Sequence, residues 1–125
     1  MIIFDTLDEL ESYKNAFDFI NTIIEVMDHS TPYEEGPGEY ENPGEGKGVH
    51  IVEAHLTSSS GFSSPKLEGK VVCEITLEGE EIVNVDGSVF RLSPGRFLIY
   101  SGDSDIKRAI MYSLPTAFKC VRFIF

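Results

Sequence analysis

Hydrophobic positions in this chain follow two different periods, and the change comes near Gly48. In the N-terminal quarter, Ala16, Phe17, Ile20, Ile23, Ile24 and Met27 recur at steps of three and four. Lys14, Asn15, Asp18, Asn21 and Glu25 fall between them. That spacing predicts a helix with one apolar stripe laid on a sheet. Upstream, Thr6 and Glu9 stand at capping-box spacing, and Asp8 sits where a first helical turn is positive, so a helix start is predicted there. After Gly48 the period shortens to two. Strands are predicted at 49–56, 70–77, 81–85, 88–92, 96–101, 108–113 and 117–125.

The turns between these runs agree with that reading. Asp86-Gly87 between Val85 and Val89 predicts a tight hairpin, because both central residues tolerate positive φ. Pro94-Gly95 fits a type II turn, and Gly79 marks another reversal. Short strands with such turns predict an antiparallel sandwich or barrel with one or two N-terminal helices, rather than a βαβ fold. Two stretches stand apart. From 30 to 48, glycines and prolines alternate with Glu34, Glu35, Glu39, Glu41 and Glu45, a composition that opposes helix and strand and predicts a solvated connection. The serine-rich run from 57 to 65 is predicted to be a second long connection.

Length and composition narrow the class. With 125 residues and 42% hydrophobic content, residues 1–125 are expected to form one globular domain. The formal net charge of -11 opposes phosphate backbones and anionic leaflets, so neither nucleic acid nor membrane is an expected partner. The opening Met1-Ile2-Ile3-Phe4 is interrupted at once by Asp5, Asp8 and Glu9, unlike a targeting segment. Cys73 and Cys120 lie inside apolar runs, without metal-site spacing, and are expected as buried free thiols in a cytoplasmic protein. The closing Val121-Arg122-Phe123-Ile124-Phe125 needs cover, which an internal partner strand or a homodimer would supply.

Signatures of phosphate loops, nucleophile elbows and zinc helices are absent from the sequence. Among the histidines, His29 follows the helical stripe and suits a helix C-terminus. His50 and His55 are five apart in one strand and fall on opposite faces, whereas Glu53 and His55 share a face. Glu74 is more informative. It shares a face with Val72 and Thr76, opposite Cys73, Ile75 and Leu77, so it either meets water or lines a cavity. Lys119 in the equally apolar closing strand is the expected counter-charge.

The order of these features resembles the YhcH/YjgK/YiaL family of small bacterial proteins. The matching segments are Met1-Ile2-Ile3-Phe4 before Ala16-Phe17-Asp18-Phe19-Ile20, then Gly38-Glu39-Tyr40-Glu41 and Leu56-Thr57. Ile75-Thr76-Leu77-Glu78-Gly79-Glu80-Glu81, Ser93-Pro94-Gly95-Arg96-Phe97, the segment from Tyr100 to Asp105, and Lys119-Cys120-Val121 complete the set. The resemblance implies a cupin-like double-stranded β-helix (jelly roll), a pocket in the barrel, a role in carbohydrate metabolism and a bound divalent metal. The departures lie in the polar constellation. The family's Glu-x-His falls on Pro65-Lys66-Leu67, its Asp-Ile-Gln on Val72-Cys73-Glu74, and its later His on Asp105.

Two functions are therefore expected as alternatives. One is a binding protein for a small polar ligand such as a sugar, held by Lys119, Asp105, Tyr100 and His55. The other is a sugar anomer- or isomer-processing enzyme in which Glu74 and Asp103 divide acid and base roles. With the motif histidines replaced, no metal or other cofactor is expected, and Glu74 is expected to pair with Lys119 in the pocket.

Overall fold

The computed structural model describes residues 1–43, 47–57, 60–110, 112 and 114–125, and within these the side chains of all but 55–57 and 60–62. Ten strands form two antiparallel sheets. The first is six-stranded, in the order β1 (Ile2–Thr6), β8 (Arg96–Ser101), β5 (Val71–Glu78), β10 (Thr116–Ile124), β3 (Val49–Thr57) and β2 (Gly38–Glu41). The second is four-stranded, in the order β4 (Ser60–Ser64), β9 (Ile106–Ile110), β6 (Glu81–Val85) and β7 (Ser88–Leu92). A 3-10 helix (Leu7–Tyr13), α1 (Phe19–Asp28) and the short α2 (Thr31–Glu34) complete the chain.

Layering explains why the strands read differently in the sequence. The large sheet is covered twice. One face packs on the helices through Ile20, Ile23, Val52, Ile75, Phe97 and Phe123. Its other face packs on the small sheet, where Val72, Leu98 and Tyr100 meet Val83, Val85 and Ile106. A strand buried on both faces becomes a nearly unbroken apolar run, as β5 does. Strands β6 and β9 have one outer face and alternate accordingly.

The predicted hairpin at Asp86-Gly87 forms with φ of 50° and 95°, and Gly95 takes φ of 89° in the predicted turn. Strands β6, β7 and β8 have their predicted limits. At the N-terminus, the helix start after Thr6 is a 3-10 helix, and Thr6 makes no side-chain cap. Thr6 instead ends β1, paired with Arg96, and the Leu7 N–H donates to the Gly95 carbonyl at 2.8 Å. Both expected connections contain structure. Segment 30–48 supplies α2 and the edge strand β2, and segment 57–65 supplies the edge strand β4. The polar composition of both segments suits strands that lie at sheet edges.

Strand β10 lies between β3 and β5, so the closing segment is internal and paired along both sides. Cys73 and Cys120 are free and buried, one packed toward the helices and the other toward the small sheet. Burial pushes both thiols up, Cys120 to about 12, which leaves them without thiolate chemistry at neutral pH. Among the described residues, no helix is long and apolar enough to cross a membrane.

Candidate functional site

The space between the sheets is apolar at its edges and charged at its middle. Antiparallel pairing sets Arg122 of β10 directly against Glu74 of β5, so the two side chains leave the same face side by side. From the facing sheet, Arg108 enters between Ile106 and Ile110, and Glu81 enters from β6. Arg108 connects them all. Its Nη2 donates to Glu74 Oε2 at 2.6 Å, its Nη1 to Glu81 Oε1 at 2.9 Å, and its Nε to Ser64 Oγ at 2.6 Å. The Tyr100 hydroxyl lies 3.4 Å from Nη2. Arg122 donates through Nε to Glu74 Oε1 at 3.2 Å and through Nη1 to Glu53 Oε1 at 3.4 Å.

The electrostatics follow from burial set against these partners. Glu74 and Arg108 are only 3% and 4% exposed. For Glu74, burial is the largest single influence and pushes its carboxyl up, but Arg108 and Arg122 together overcome it and hold it below its ordinary value. Glu81 goes the other way. Burial, with the Glu74 charge behind it, outweighs Arg108 and lifts it to about 7. Burial lowers the Arg108 guanidinium, yet the two carboxylates more than offset this and it is raised overall. The Tyr100 hydroxyl is raised by burial and by the Glu74 charge, so it stays protonated.

Beside this network is a cavity of about 200 Å³. Ile51, Val72, Ile106 and Ile124 form its apolar walls, and Tyr100 and Arg122 supply its polar floor. The segment carrying Ser64, Pro65 and Leu67 closes it against Gly102. That closure depends on a close backbone approach. Leu67 N–H donates to the Gly102 carbonyl at 2.8 Å, and Gly102 N–H donates to the Lys70 carbonyl at 2.7 Å. A Cβ on Gly102 would collide with the Leu67 carbonyl oxygen. Gly102→Ala is therefore expected to lower stability by about 1–3 kcal/mol in urea unfolding. An unchanged midpoint would show that the Leu67 segment yields without cost.

The residues singled out from the sequence are distributed unevenly around this site. Glu74 and Tyr100 are in the network. Asp103 is exposed in the turn after β8, where its Oδ1 accepts from Gly69 N–H at 3.3 Å and its Oδ2 from the Ser101 hydroxyl at 3.4 Å. Asp105 is exposed as well, paired with Lys66 at 3.3 Å. The backbone of His55 lies opposite Phe118 in β3, and its side chain lies outside the described residues. His50 belongs to the helix side. Its ring contacts Glu35 Oε1 and Asn42 Oδ1, each at 2.7 Å, and lies between Tyr40 and Phe123.

The expected Glu74–Lys119 pair is not formed. Lys119 Nζ donates to the carbonyls of Tyr33 and Glu35, both at 2.9 Å, on the helix side of the sheet. Side chains of β10 alternate. Val121 and Phe123 share the face of Lys119, whereas Cys120 and Arg122 share the barrel face. Lys119 therefore pins α2 and the residue after it. Lys119→Met is expected to lower stability by about 1–2 kcal/mol in thermal or urea unfolding. An effect on ligand binding without one on stability would return Lys119 to the barrel site.

Arg108, Arg122, Glu81 and Ser64 are the site residues that the sequence reading did not single out. The signal for the arginines was present as alternation: Ile106-x-Arg108-x-Ile110 and Cys120-x-Arg122-x-Ile124 each place a guanidinium on an apolar face. Starting the β9 strand at Arg108 rather than Ile106 hid the first of these patterns.

The divalent metal implied by the resemblance does not fit the described residues. Among them, no group of three or more His, Cys, Asp or Glu side chains converges as a ligand set. Both Glu74 oxygens already accept from guanidiniums, which repel a cation and have no lone pair to offer one.

No protein-family model matches the chain, and no curated protein matches it by sequence. Solved structures do resemble it. The Cupin_2 domain of an XRE-family transcriptional regulator from Enterobacter cloacae superposes with a TM-score of 0.53 at 21% identity, covering 61% of this chain and 78% of that one. A cupin protein from Bacteroides fragilis gives 0.52 at 15% identity, over 72% of this chain and 77% of that one. A structural-genomics protein of unknown function from Rhizobium leguminosarum bv. viciae gives 0.53 at 14% identity, over 80% and 91%. The two sheets thus form the cupin double-stranded β-helix, a mainly β, antiparallel fold with N-terminal helices added on one face.

Proposed function

We propose that this chain is a non-catalytic binding protein that takes a small molecule in the cavity between its sheets. The observation that carries this reading is the contrast between the cavity and the ion network beside it. The cavity offers apolar walls with a few polar groups at one end, the usual composition of a ligand site. Neither buried carboxylate of the network, Glu74 or Glu81, is among the residues that line the cavity. Glu74 accepts from Arg108 and Arg122 through both oxygens and is held ionised, while general catalysis needs a group free to exchange a proton with substrate.

The finer reading includes membership of the YhcH/YjgK/YiaL type as a divergent form, in the cytoplasm, with altered metal-site chemistry. The order of the sequence motifs and the cupin barrel both support it. A sugar is the ligand that this resemblance suggests. The enzyme alternative, with Glu74 and Asp103 as acid and base, has weaker support, because the two carboxylates have separate surroundings and separate partners. Sugar mutarotation followed by NMR tests the choice. Rates equal to the uncatalysed background are expected with the wild-type protein. An acceleration that is lost in Asp103→Asn would overturn the binding reading, and this exposed position leaves the fold intact.

A further inference from the structure

The polar lining of the cavity has an uneven inventory. Ser64 Oγ accepts from Arg108 Nε at 2.6 Å, so its own proton points elsewhere, and no described residue accepts it. Arg122 uses Nε on Glu74 and Nη1 on Glu53, and its Nη2 has no partner among the described residues. Tyr100 is occupied by Arg108 and Glu74. The cavity therefore presents unused donors and engaged acceptors. A ligand with several hydroxyl groups needs both kinds, whereas a ligand whose polar end only accepts would match. The contact between Arg122 and Glu53 is the loosest ion pair in the network. It is 3.4 Å long, and the Glu53 side chain is 43% exposed, so its carboxylate is free to turn into solvent.

We propose that the cavity takes a small carboxylate with a compact apolar body, whose carboxylate replaces that of Glu53 at Arg122 and accepts from the Ser64 hydroxyl. The exchange keeps the charge around Arg122 constant, since one carboxylate leaves as another arrives. Ile51, Val72, Ile106 and Ile124 then cover the body. A cavity of about 200 Å³ limits that body to a few carbons, since drug-sized ligands occupy about 300–1,000 Å³. This inference rests on the binding reading above and names the ligand class for the same cavity.

The test is titration of the full chain with 3-methylbutanoate, its neutral amide and D-glucose, read by NMR shifts of backbone amides around Val72, Ile106 and Ile124. The expected result is that only the carboxylate saturates these shifts. Glu53→Gln, at a half-exposed position, should bind 3-methylbutanoate about fivefold more tightly because its competitor is gone. Ser64→Ala should bind it about tenfold more weakly. Equal binding of the amide, preferential binding of D-glucose, or an unchanged affinity in Glu53→Gln would overturn the carboxylate class and leave the binding reading standing. If none of the three probes shifts the cavity signals at millimolar concentration, both are overturned.

Discussion

Arg108→Met should destabilise the protein by about 3–5 kcal/mol, the largest effect expected from any single exchange in the barrel. The reason is the orphaned partners more than the lost attraction. Arg108 holds Glu74 and Glu81 together at 2.6 and 2.9 Å, and both carboxylates are buried. Methionine fills much of the same volume but leaves Glu81 without its guanidinium and Glu74 with Arg122 alone. Against a typical domain stability of about 5–15 kcal/mol this is a large fraction. A fall in Tm on the order of 10–20 °C is the expected calorimetric result. The loss should be larger at pH 8 than at pH 5, because acid lets the stranded carboxylates take protons and shed their charge. Adding Glu81→Gln to Arg108→Met should recover part of it, and a double-mutant cycle would measure the coupling. A Tm change of one or two degrees would mean that water already solvates these groups, against the burial described here.

Much of the architecture was legible because period and turn chemistry agreed at several points. The hairpin at Asp86-Gly87 needed two residues that tolerate positive φ, and the alternation of β6 and β7 on either side pointed the same way. The cupin topology, by contrast, depends on long-range pairing such as β1 with β8 and β3 with β10, and a local pattern carries no information about register. Edge strands β2 and β4 were missed for a related reason: each is held from one side only, so its composition could remain that of a loop.

At the site, the sequence exposed Glu74, because an acid amid Val, Ile and Thr has few innocent explanations. It did not reveal the partner. Lys119 and Arg122 are both cations in β10, three residues apart, and an odd separation sends them to opposite faces of the sheet. Lys119 finds carbonyls among the helices, and Arg122 finds the carboxylate. The parity argument that separates His50 from His55 applies here with equal force once Glu74 is placed in register with Arg122.

Glu81 should make the stability of the protein fall as pH rises from about 5 to about 7, the reverse of ordinary acid denaturation. Its carboxyl is lifted from the ordinary value of 4.5 to about 7. Between those values the folded chain holds a proton at Glu81 that the unfolded chain has released, so each step upward in pH favours unfolding. Above about 7 both states are ionised at this position and the slope ends. Glu74 contributes in the other direction and elsewhere: its folded value lies below 4.5, so its contribution is complete above the unfolded value and is lost only as pH falls through the folded one. The two windows do not overlap, which makes the Glu81 effect separable. Charge balance gives the physical picture. With Glu81 neutral, the guanidiniums of Arg108 and Arg122 face the carboxylates of Glu74 and Glu53, and ionising Glu81 adds an unmatched buried charge. Glu81→Gln keeps an oxygen for Arg108 Nη1 while removing that charge. The variant should match the wild type near pH 5 and exceed it at pH 8 by an amount on the order of 3 kcal/mol. Urea unfolding of both proteins at intervals from pH 5 to pH 8 provides the comparison, because other titrating groups cancel in the difference. Parallel stability curves across that range would show that Glu81 ionises normally in the folded protein.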